Sequence, residues 1–256
     1  MSGLGIDPRE ARLLLAAATG FSEASLLAFP ERGMPAEVEK AFLESVARRR
    51  RGEPIAYILG RKEFYSLELA VTPAVLIPRP ETELLVDLAL ERRPASVLDL
   101  GTGSGNIAVA IKKHLPACEV FAVDASAAAL AVAQRNASMH GLAVQLLLGS
   151  WLQPVGEKRF EAIVSNPPYV AEGDPHLPEL RHEPQGALVA GRDGLDAIRE
   201  IARDAPAHLA EGGWLLVEHG AGQDEAVRRL FAAAGLEEVR TWPDLAGIPR
   251  VTGGKR

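Results

Sequence analysis

The sequence predicts an α/β protein: a doubly wound, mostly parallel sheet preceded by a small all-α domain. From Ala95 onward, short apolar strands alternate with helices, which is the pattern of a parallel sheet with crossover helices. Before about residue 60, apolar residues recur only at helical spacing. The segment LDLGTGSG (98–105) joins the first strand of the alternating region to its first helix, and a glycine-rich turn in that place favours a ligand site.

The first 60 residues are expected to form a helical domain of their own. The predicted helices are Glu10–Thr19, Ser22–Phe29 and Ala36–Arg51. Their stop signals are Gly20, Pro30, Gly52 and Gly60.

A linker follows over residues 61–75. Glu63–Val71 roughly alternates apolar and polar residues, which predicts a strand or a β-hairpin. IPRPETE (77–83) then opens a helix that runs to about Leu90. Residues 76–256 are expected to form the second domain.

The alternating region yields strands and helices in order. The predicted strands are Ser96–Leu100, Glu119–Val123, Val144–Leu148, Phe160–Ser165 and Gly213–Glu218. The predicted helices are Asn106–His114, Ser126–His140, Leu195–Leu209 and Asp224–Ala234. Residues 236–253 are expected to supply the last one or two strands. Segment 171–193, rich in Pro, Gly, Glu and His, predicts a long loop that is functional or disordered.

Composition places the chain among ordinary globular proteins, with 47% hydrophobic and 24% charged residues in 256. No apolar run approaches the ~20 residues that span a bilayer. The alanine-leucine stretch near the N-terminus carries Asp7 and Glu10, so a helix is favoured over a signal peptide. Cys118 is the single cysteine, which excludes an internal disulfide and fits a reducing compartment. We therefore expect a cytoplasmic protein without a membrane partner.

Charge argues against direct nucleic-acid binding. The net charge is −6, whereas non-specific binding relies on many Lys and Arg contacts to phosphate. Arg48–Arg51 is a dense basic patch, and favourable placement at a helix C-terminus is preferred to a binding role. The six histidines and one cysteine show no metal-ligand spacing, so no metal is predicted. Glu218-His219-Gly220, at the end of the fifth strand, is interpreted as structural rather than catalytic.

The glycine turn indicates a nucleoside site. Gly101, Gly103 and Gly105 let the backbone turn sharply and approach a ligand. The third glycine of a dinucleotide fingerprint would fall at position 106, which is asparagine. Asp124 ends the next strand, 19 residues after Gly105, where a carboxylate can accept hydrogen bonds from both ribose hydroxyls. The alternative is a tight turn with an incidental aspartate.

A second signal is SNPPYV (165–170), directly after the fourth strand. Prolines have no N–H to donate to a sheet, so the chain is expected to leave the sheet at Asn166. Asn166 and Tyr169 are then held at the carboxyl end of a strand, where open α/β sheets bind ligands. The alternative is a simple proline turn.

Together these motifs resemble known families. D-L-G-x-G-x-G with an acid after the second strand resembles the class I, Rossmann-like, S-adenosyl-L-methionine-dependent methyltransferases. NPPY after the fourth strand resembles members that methylate planar nitrogens in DNA, ribosomal RNA or protein glutamine. IPRPETE, LDLGTGSG, NPPYV and EPQGALVAGRDGL (183–195) together resemble the protein-(glutamine-N5) methyltransferases, over nearly the whole chain.

The resemblance implies S-adenosyl-L-methionine as methyl donor and class 1 peptide chain release factors as protein substrate, modified at the glutamine of their Gly-Gly-Gln loop. A ribosomal-protein glutamine methyltransferase remains an alternative. The implied donor-binding residues are Gly101, Thr102, Gly103, Ser104, Gly105, Asp124, Trp151 and Asn166. Trp151 would lie beside the adenine, with core packing as the alternative. The implied substrate-binding residues are Asn166, Pro167, Pro168 and Tyr169.

The implied chemistry is the aiming of a weakly nucleophilic amide nitrogen. The side-chain oxygen of Asn166 and the backbone carbonyl of Pro167 would accept its two N–H bonds, and these bonds strengthen as positive charge develops. Tyr169 would pack on the planar amide, and the two prolines would stiffen the turn. No catalytic base is assigned. Arg79, Glu81 and Glu83 of IPRPETE lie near the site in this family, without an assigned role.

Two rival functions make different demands on the chain. A nucleic-acid amino-methyltransferase that flips a base needs a basic face and a target-recognition region, which the net charge and the short helical domain disfavour. A binding module without turnover would need no amide-aiming NPPY motif. The helical N-terminal domain is expected to bind the protein substrate.

Overall fold

The computed structural model describes residues 4–29 and 33–256, so the stop signal expected at Pro30 lies outside the described residues. The chain divides into two compact units, Met1–Lys62 and Glu63–Arg256. Among the residues that the structure describes, no helix is both long and apolar enough to cross a membrane.

The first unit is helical in its described part. Its helices are α1 (Pro8–Thr19), α2 (Glu23–Ala28), α3 (Ala36–Arg50) and α4 (Ile55–Leu59). Asp7 caps α1, because its Oδ1 accepts from the backbone N–H of Arg9 at 2.7 Å. Leu14, Phe42 and Val46 are buried together as the core of this unit.

Helix α4 was not predicted, because five residues are too few to show a helical period. The basic patch coincides with the last turn of α3, as expected for cations near a helix C-terminus. Two of its arginines also form ion pairs within the unit. Arg48 pairs with Glu53 at 2.5 Å and Arg49 with Glu10 at 2.8 Å.

The second unit contains a hairpin and a large sheet with flanking helices. The hairpin strands are β1 (Arg61–Phe64) and β2 (Leu67–Ala70), and the unit boundary falls within β1. A 3-10 turn, Pro80–Thr82, leads into α5 (Glu83–Arg92). The remaining strands are β3 (Ser96–Leu100), β4 (Glu119–Asp124), β5 (Gln145–Leu148), β6 (Phe160–Ser165), β7 (Leu209–Glu218), β8 (Glu237–Pro243) and β9 (Pro249–Lys255). The remaining helices are α6 (Asn106–His114), α7 (Ala127–Met139), α8 (Asp196–His208) and α9 (Asp224–Ala233).

The prediction of a doubly wound, mostly parallel sheet is confirmed. The strand order is β5-β4-β3-β6-β7-β9-β8. The first five strands in this order run parallel, whereas β9 pairs antiparallel with both β7 and β8. The chain order reverses between β3 and β6, which is the switch point where such sheets bind ligands.

Helices cover both faces of this sheet. Along β3, Val97 packs in one buried cluster with residues of α5 and α6, and the next residue, Leu98, packs in another with residues of α8 and α9. Successive side chains of a strand point to opposite faces. The central strands therefore read as continuous apolar runs, as in parallel sheets buried on both sides.

Candidate active site

The strand register places the predicted motifs side by side at the carboxyl ends of the parallel strands. Leu100, the last residue of β3, pairs with Val123 of β4 and with Ser165 of β6, and Ser165 pairs with Val217 of β7. The residues that follow these four lie side by side at the carboxyl ends of the strands. In spatial order they are Asp124, Gly101, Asn166 and Glu218. The loop from LDLGTGSG and the NPPY segment are therefore neighbours, as their positions after two adjacent strands require.

Backbone hydrogen bonds to β4 fix the start of the glycine loop. The backbone N–H groups of Gly101 and Thr102 both donate to the carbonyl of Val123, at 2.9 and 3.0 Å. Gly105 has a φ of +79°, and a Cβ at this position would lie 3.0 Å from the Cβ of Ala133 on α7. A larger residue at Gly105 would therefore be strained both by its backbone conformation and by its contact with α7.

A buried acid lies under this loop. It is the first residue of the D-L-G-x-G-x-G motif, and no role was predicted for it. Asp99 is fully buried, and its Oδ2 accepts from the hydroxyl of Thr102 at 2.6 Å. Burial raises the pKa of Asp99 to about 7, against the hydrogen bond from Thr102, which lowers it. The signals in the sequence were the place of Asp99 at the start of the D-L-G-x-G-x-G motif and the presence of an acidic residue inside an otherwise apolar strand.

Asp124 is connected to the loop as well as to the cavity. Its Oδ2 accepts from the backbone N–H of Gly103 and its Oδ1 from that of Ser126, both at 2.8 Å. The side chain stays partly exposed. Since a carboxylate offers about four lone-pair sites, two acceptor positions remain for a ligand.

Trp151 lies across the glycine loop. Its φ is +44°, a left-handed conformation that is unusual for an aromatic residue. A Cβ at Gly101 would lie 3.4 Å from the edge of its indole ring, so the ring and the loop are in close contact. A strained backbone conformation persists only where the surrounding structure fixes it. The neighbours of Trp151 therefore hold this residue in position.

These residues line a cavity of about 360 Å³. Of the predicted site residues, the structure places Gly101, Thr102, Gly103, Ser104, Asp124, Trp151, Asn166 and Pro168 in its wall. Gly105, Pro167 and Tyr169 are not among the lining residues. Segment 74–79, including Arg79, and residues of EPQGALVAGRDGL complete the wall.

The amide of Asn166 is held by Thr82. Its Nδ2 donates to the Thr82 hydroxyl at 3.0 Å, and Thr82 is buried in the 3-10 turn before α5. This contact links the NPPY segment to IPRPETE across 84 residues of sequence, and it directs the amide oxygen, Oδ1, away from Thr82.

Tyr169 is fixed at both its backbone and its hydroxyl. Its carbonyl accepts from Nε2 of Gln223 at 3.1 Å, and its hydroxyl donates to Oε1 of Glu218 at 3.3 Å. Burial raises the pKa of Tyr169 well above its ordinary value. Burial also raises the pKa of Glu218 to about 7. The structure thus places Glu218 against the NPPY segment, although sequence analysis interpreted it as structural.

The long segment 171–193 forms backbone hydrogen bonds with Val170, the residue that follows the NPPY motif. The N–H of Val170 donates to the carbonyl of Leu188 at 2.8 Å, and the N–H of Ala190 donates to the carbonyl of Val170 at 3.0 Å. Short 3-10 helices form over Leu177–Leu180 and Gln185–Ala187. The segment is therefore an ordered part of the site in this structure.

Glu183 connects this segment to IPRPETE. One of its oxygens pairs with Arg79, and Oε2 accepts from the N–H of Ile77 at 3.0 Å. Glu83 instead accepts from the N–H of Tyr65 in the hairpin at 2.8 Å. Arg79 thus lies at the cavity wall and Glu83 supports the hairpin turn. No cluster of His, Cys, Asp and Glu within the described ranges could hold a metal ion.

Comparison with known proteins covers both units. A family model described as the PrmC N-terminal domain matches residues 2–60, and the methyltransferase small domain matches residues 80–180. A release factor glutamine methyltransferase from Bordetella pertussis is 49% identical, covering 98% of this chain and 95% of its own. The protein of the same name from Coxiella burnetii is 46% identical, covering 96% and 91%.

Solved structures show the same fold. A methyltransferase from Pyrococcus furiosus is similar with a TM-score of 0.60 at 20% identity, covering 82% of this chain and 96% of that chain. At this identity the similarity concerns the fold alone.

Proposed function

This chain belongs to the release factor glutamine methyltransferase family, and on that premise we propose that it transfers a methyl group from S-adenosyl-L-methionine to the side-chain amide nitrogen of a glutamine. The proposed target is the glutamine of the Gly-Gly-Gln loop of class 1 peptide chain release factors, which places the enzyme in the cytoplasm. The observation that carries the proposal is the strand register. It sets the cavity directly beside the amide of Asn166, which supports binding of a methyl donor next to the substrate amide.

The cavity residues fit the donor. The turn at Gly101–Gly105 leaves backbone exposed where a Cβ at Gly103 would meet no atom within 4 Å. Asp124 keeps acceptor sites for a ribose, and Trp151 offers an aromatic edge beside the loop. When bound, S-adenosyl-L-methionine supplies an electrophilic methyl carbon attached to a positively charged sulfur.

The task of the chain is to orient the substrate amide. Oδ1 of Asn166 and the carbonyl of Pro167 accept the two N–H bonds of the glutamine side chain, so that its nitrogen faces the cavity. These bonds strengthen as the nitrogen becomes positive, which stabilises the transition state more than the ground state. Pro167 and Pro168 restrict the backbone of the turn. Tyr169, the last residue of the NPPY motif, is held by its contacts with Gln223 and Glu218. No side chain is assigned as a catalytic base, because the methylated, positively charged amide is acidic enough to lose its proton to water.

The helical unit is proposed to bind the release factor. Unit Met1–Lys62 is compact and matches the PrmC N-terminal domain. Among the described residues, those that line the cavity all lie beyond position 73. A role in recognising the folded substrate therefore suits the helical unit better than a role in chemistry.

Transfer of labelled methyl from S-adenosyl-L-methionine to a purified release factor tests this function. The matched control is the same factor with its loop glutamine changed to alanine. We expect label on the first and none on the second. Equal labelling of both would show that the methyl group is transferred to a different residue of the factor. Labelling of neither, with the donor still bound, would contradict the proposal and direct the assay to ribosomal protein and then to nucleic acid.

A further inference from the structure

The side chain of Gln223 connects three loops at the carboxyl ends of the strands. Its Nε2 donates to the carbonyl of Tyr169 in the NPPY segment at 3.1 Å and to the carbonyl of Asp193 in the long segment 171–193 at 3.2 Å. Its Oε1 accepts from the N–H of Gly220, in the loop between β7 and α9, at 2.8 Å. Tyr169 and Asp193 lie 54 and 30 residues from Gln223 in sequence, so this one amide joins segments that are distant along the chain.

The three partners select one orientation of the Gln223 amide. A glutamine amide has two N–H donors at Nε2 and only acceptors at Oε1. In the observed orientation both donors face a carbonyl and the oxygen faces an N–H. The reversed orientation would set the oxygen against two carbonyls and the donors against the N–H of Gly220. The three loops therefore fix the direction of the amide, and the amide holds the three loops together.

Two glycines allow the loops to approach this amide closely. Gly194 has a φ of +75°, and a Cβ there would lie 2.2 Å from the carbonyl oxygen of Tyr169 and 2.8 Å from Nε2 of Gln223. A Cβ at Gly220 would lie 3.0 Å from Oε1 of Gln223. A side chain at position 194 would collide with the carbonyl, and one at position 220 would press on the amide. The loops are thus packed as a junction around Gln223.

The NPPY segment needs anchors outside its own backbone. Pro167 and Pro168 have no N–H to donate, so backbone hydrogen bonds cannot hold the segment at these two positions. The side chain of Asn166 is bonded at the start of the segment, and Gln223 holds Tyr169 at its end. The carbonyl of Pro167, which accepts an N–H of the substrate amide in the proposed function, lies between these two anchors. Its direction therefore depends on both of them.

We propose that Gln223 is a positioning residue for the methyl transfer. By holding the carbonyl of Tyr169, it fixes the end of the NPPY segment and with it the direction of the Pro167 carbonyl. Gln223 is not among the described residues that line the cavity, so its loss should not change binding of the methyl donor. This inference rests on the proposed function, because it concerns how the NPPY segment is prepared for the substrate amide.

Substitution of Gln223 by glutamate tests the role of its two donors. Glutamate has the same shape and can accept from the N–H of Gly220, but an ionised carboxylate has no proton to donate. We expect kcat to fall about 10- to 100-fold, the loss of one or two hydrogen bonds, with KM for the release factor little changed. Gln223→Met, which is uncharged, should lower kcat similarly, because the effect comes from the lost donors and not from the new charge.

Donor affinity and a matched variant control for damage to the fold. Calorimetry should give the wild-type affinity for S-adenosyl-L-methionine in Gln223→Glu. The matched control is Gln134→Glu, which changes an exposed glutamine on α7 and should leave kcat unchanged. A wild-type kcat in both Gln223→Glu and Gln223→Met would overturn the proposal. A fall in donor affinity as large as the fall in kcat would also overturn it, because the substitution would then act on the donor cavity.

A second measurement observes the junction directly and needs neither donor nor release factor. Of the five glutamines in the chain, Gln223 is half-buried, whereas the other four, Gln134, Gln145, Gln153 and Gln185, are exposed. Selective ¹⁵N labelling of glutamine gives five side-chain amide signals, and Gln223→Glu identifies the signal of Gln223 by removing it. We expect this amide to exchange with solvent at least about tenfold more slowly than the other four, because both of its N–H groups are bonded to carbonyls.

The two measurements separate the possible failures. Exchange of the Gln223 amide at the rate of the exposed glutamines would overturn the inference whatever the activity. A slowly exchanging Gln223 amide, in a chain that transfers no methyl group to a release factor, would overturn the proposed function and confirm the junction alone.

Discussion

At the scale of single residues, Asp124 supports the glycine loop and, in the proposed function, also binds the methyl donor. The same carboxylate that holds the N–H groups of Gly103 and Ser126 keeps acceptor sites for a ribose. Its removal should therefore weaken the donor site in two ways, by loosening the glycine loop and by removing the hydrogen bonds to the hydroxyls.

We expect Asp124→Ala to weaken binding of S-adenosyl-L-methionine by about 10- to 100-fold, because hydrogen bonds to a charged group contribute roughly 1.5–3 kcal/mol. Isothermal titration calorimetry measures this. The matched control is Glu119→Ala, which removes an exposed acid at the opposite end of the same strand and should leave affinity unchanged. Wild-type affinity for Asp124→Ala would show that the carboxylate does not contact the donor.

Asp99 makes stability depend on pH. Burial raises its pKa from 3.8 to about 7 on folding, so the folded chain binds more protons than the unfolded chain between these values. The contribution of Asp99 to the free energy of unfolding therefore decreases as the pH rises from about 4 to about 7.

Asparagine cannot ionise, so Asp99→Asn should gain stability relative to wild type across this window. Urea unfolding of both proteins at pH 5 and pH 8 measures the effect, and we expect the difference to favour the variant by roughly 1–4 kcal/mol more at pH 8. Comparison of the two proteins cancels the opposing contribution of His219, whose pKa is lowered by burial. An equal difference in the free energy of unfolding at both pH values would show that Asp99 does not bind an additional proton in the folded chain.

At the scale of elements, the site is assembled from segments distant in sequence. IPRPETE meets EPQGALVAGRDGL through Glu183, whose side chain is 3% exposed while that of Arg79 is 34% exposed. Loss of Glu183 leaves the N–H of Ile77 and the guanidinium of Arg79 without this acceptor, at the wall of the cavity.

Glu183→Ala should lower the free energy of unfolding by roughly 1–3 kcal/mol, the cost of a buried donor left unpaired, with the ion-pair part reduced by solvent around Arg79. Hydrogen exchange should increase over residues 74–79. Glu179→Ala, an exposed acid of the same loop, should change neither quantity. Unchanged exchange at residues 74–79 in Glu183→Ala would mean that the pair does not hold the wall.

Most elements could be predicted because local signals mark them. The observed bounds of β3, α6 and β6 match the predicted ones, since glycines or prolines end each strand and periodicity marks the helix. The insertion of β9 between β7 and β8 could not be predicted, because strand order depends on packing and not on the local pattern. The contacts of Thr82 and Glu218 with the NPPY segment could not be predicted for the same reason. Their partners Asn166 and Tyr169 lie 84 and 49 residues away in sequence.

At the scale of the whole molecule, the chain combines two compact units, and we propose a different task for each unit. Chemistry is placed in unit Glu63–Arg256, whose residues form the cavity wall. Recognition of the release factor is assigned to the helical unit. This division predicts that the two binding events can be separated.

Deletion of residues 1–60 should weaken binding of the release factor by at least about tenfold while leaving affinity for S-adenosyl-L-methionine nearly unchanged. Calorimetry with each ligand measures both, and circular dichroism checks that the remaining domain is folded. Loss of both affinities in a folded product would contradict the division of tasks, as would retention of both.

Asn166 is proposed to aim a glutamine amide at the donor cavity, and the single-turnover rate of Asn166→Ala measures this effect. The variant is saturated with labelled S-adenosyl-L-methionine, so that donor affinity does not enter, and is then mixed with excess release factor. We predict a rate about 10- to 100-fold below wild type, because a hydrogen bond that strengthens with the developing charge is lost. A wild-type rate would show that Asn166 does not orient the glutamine amide.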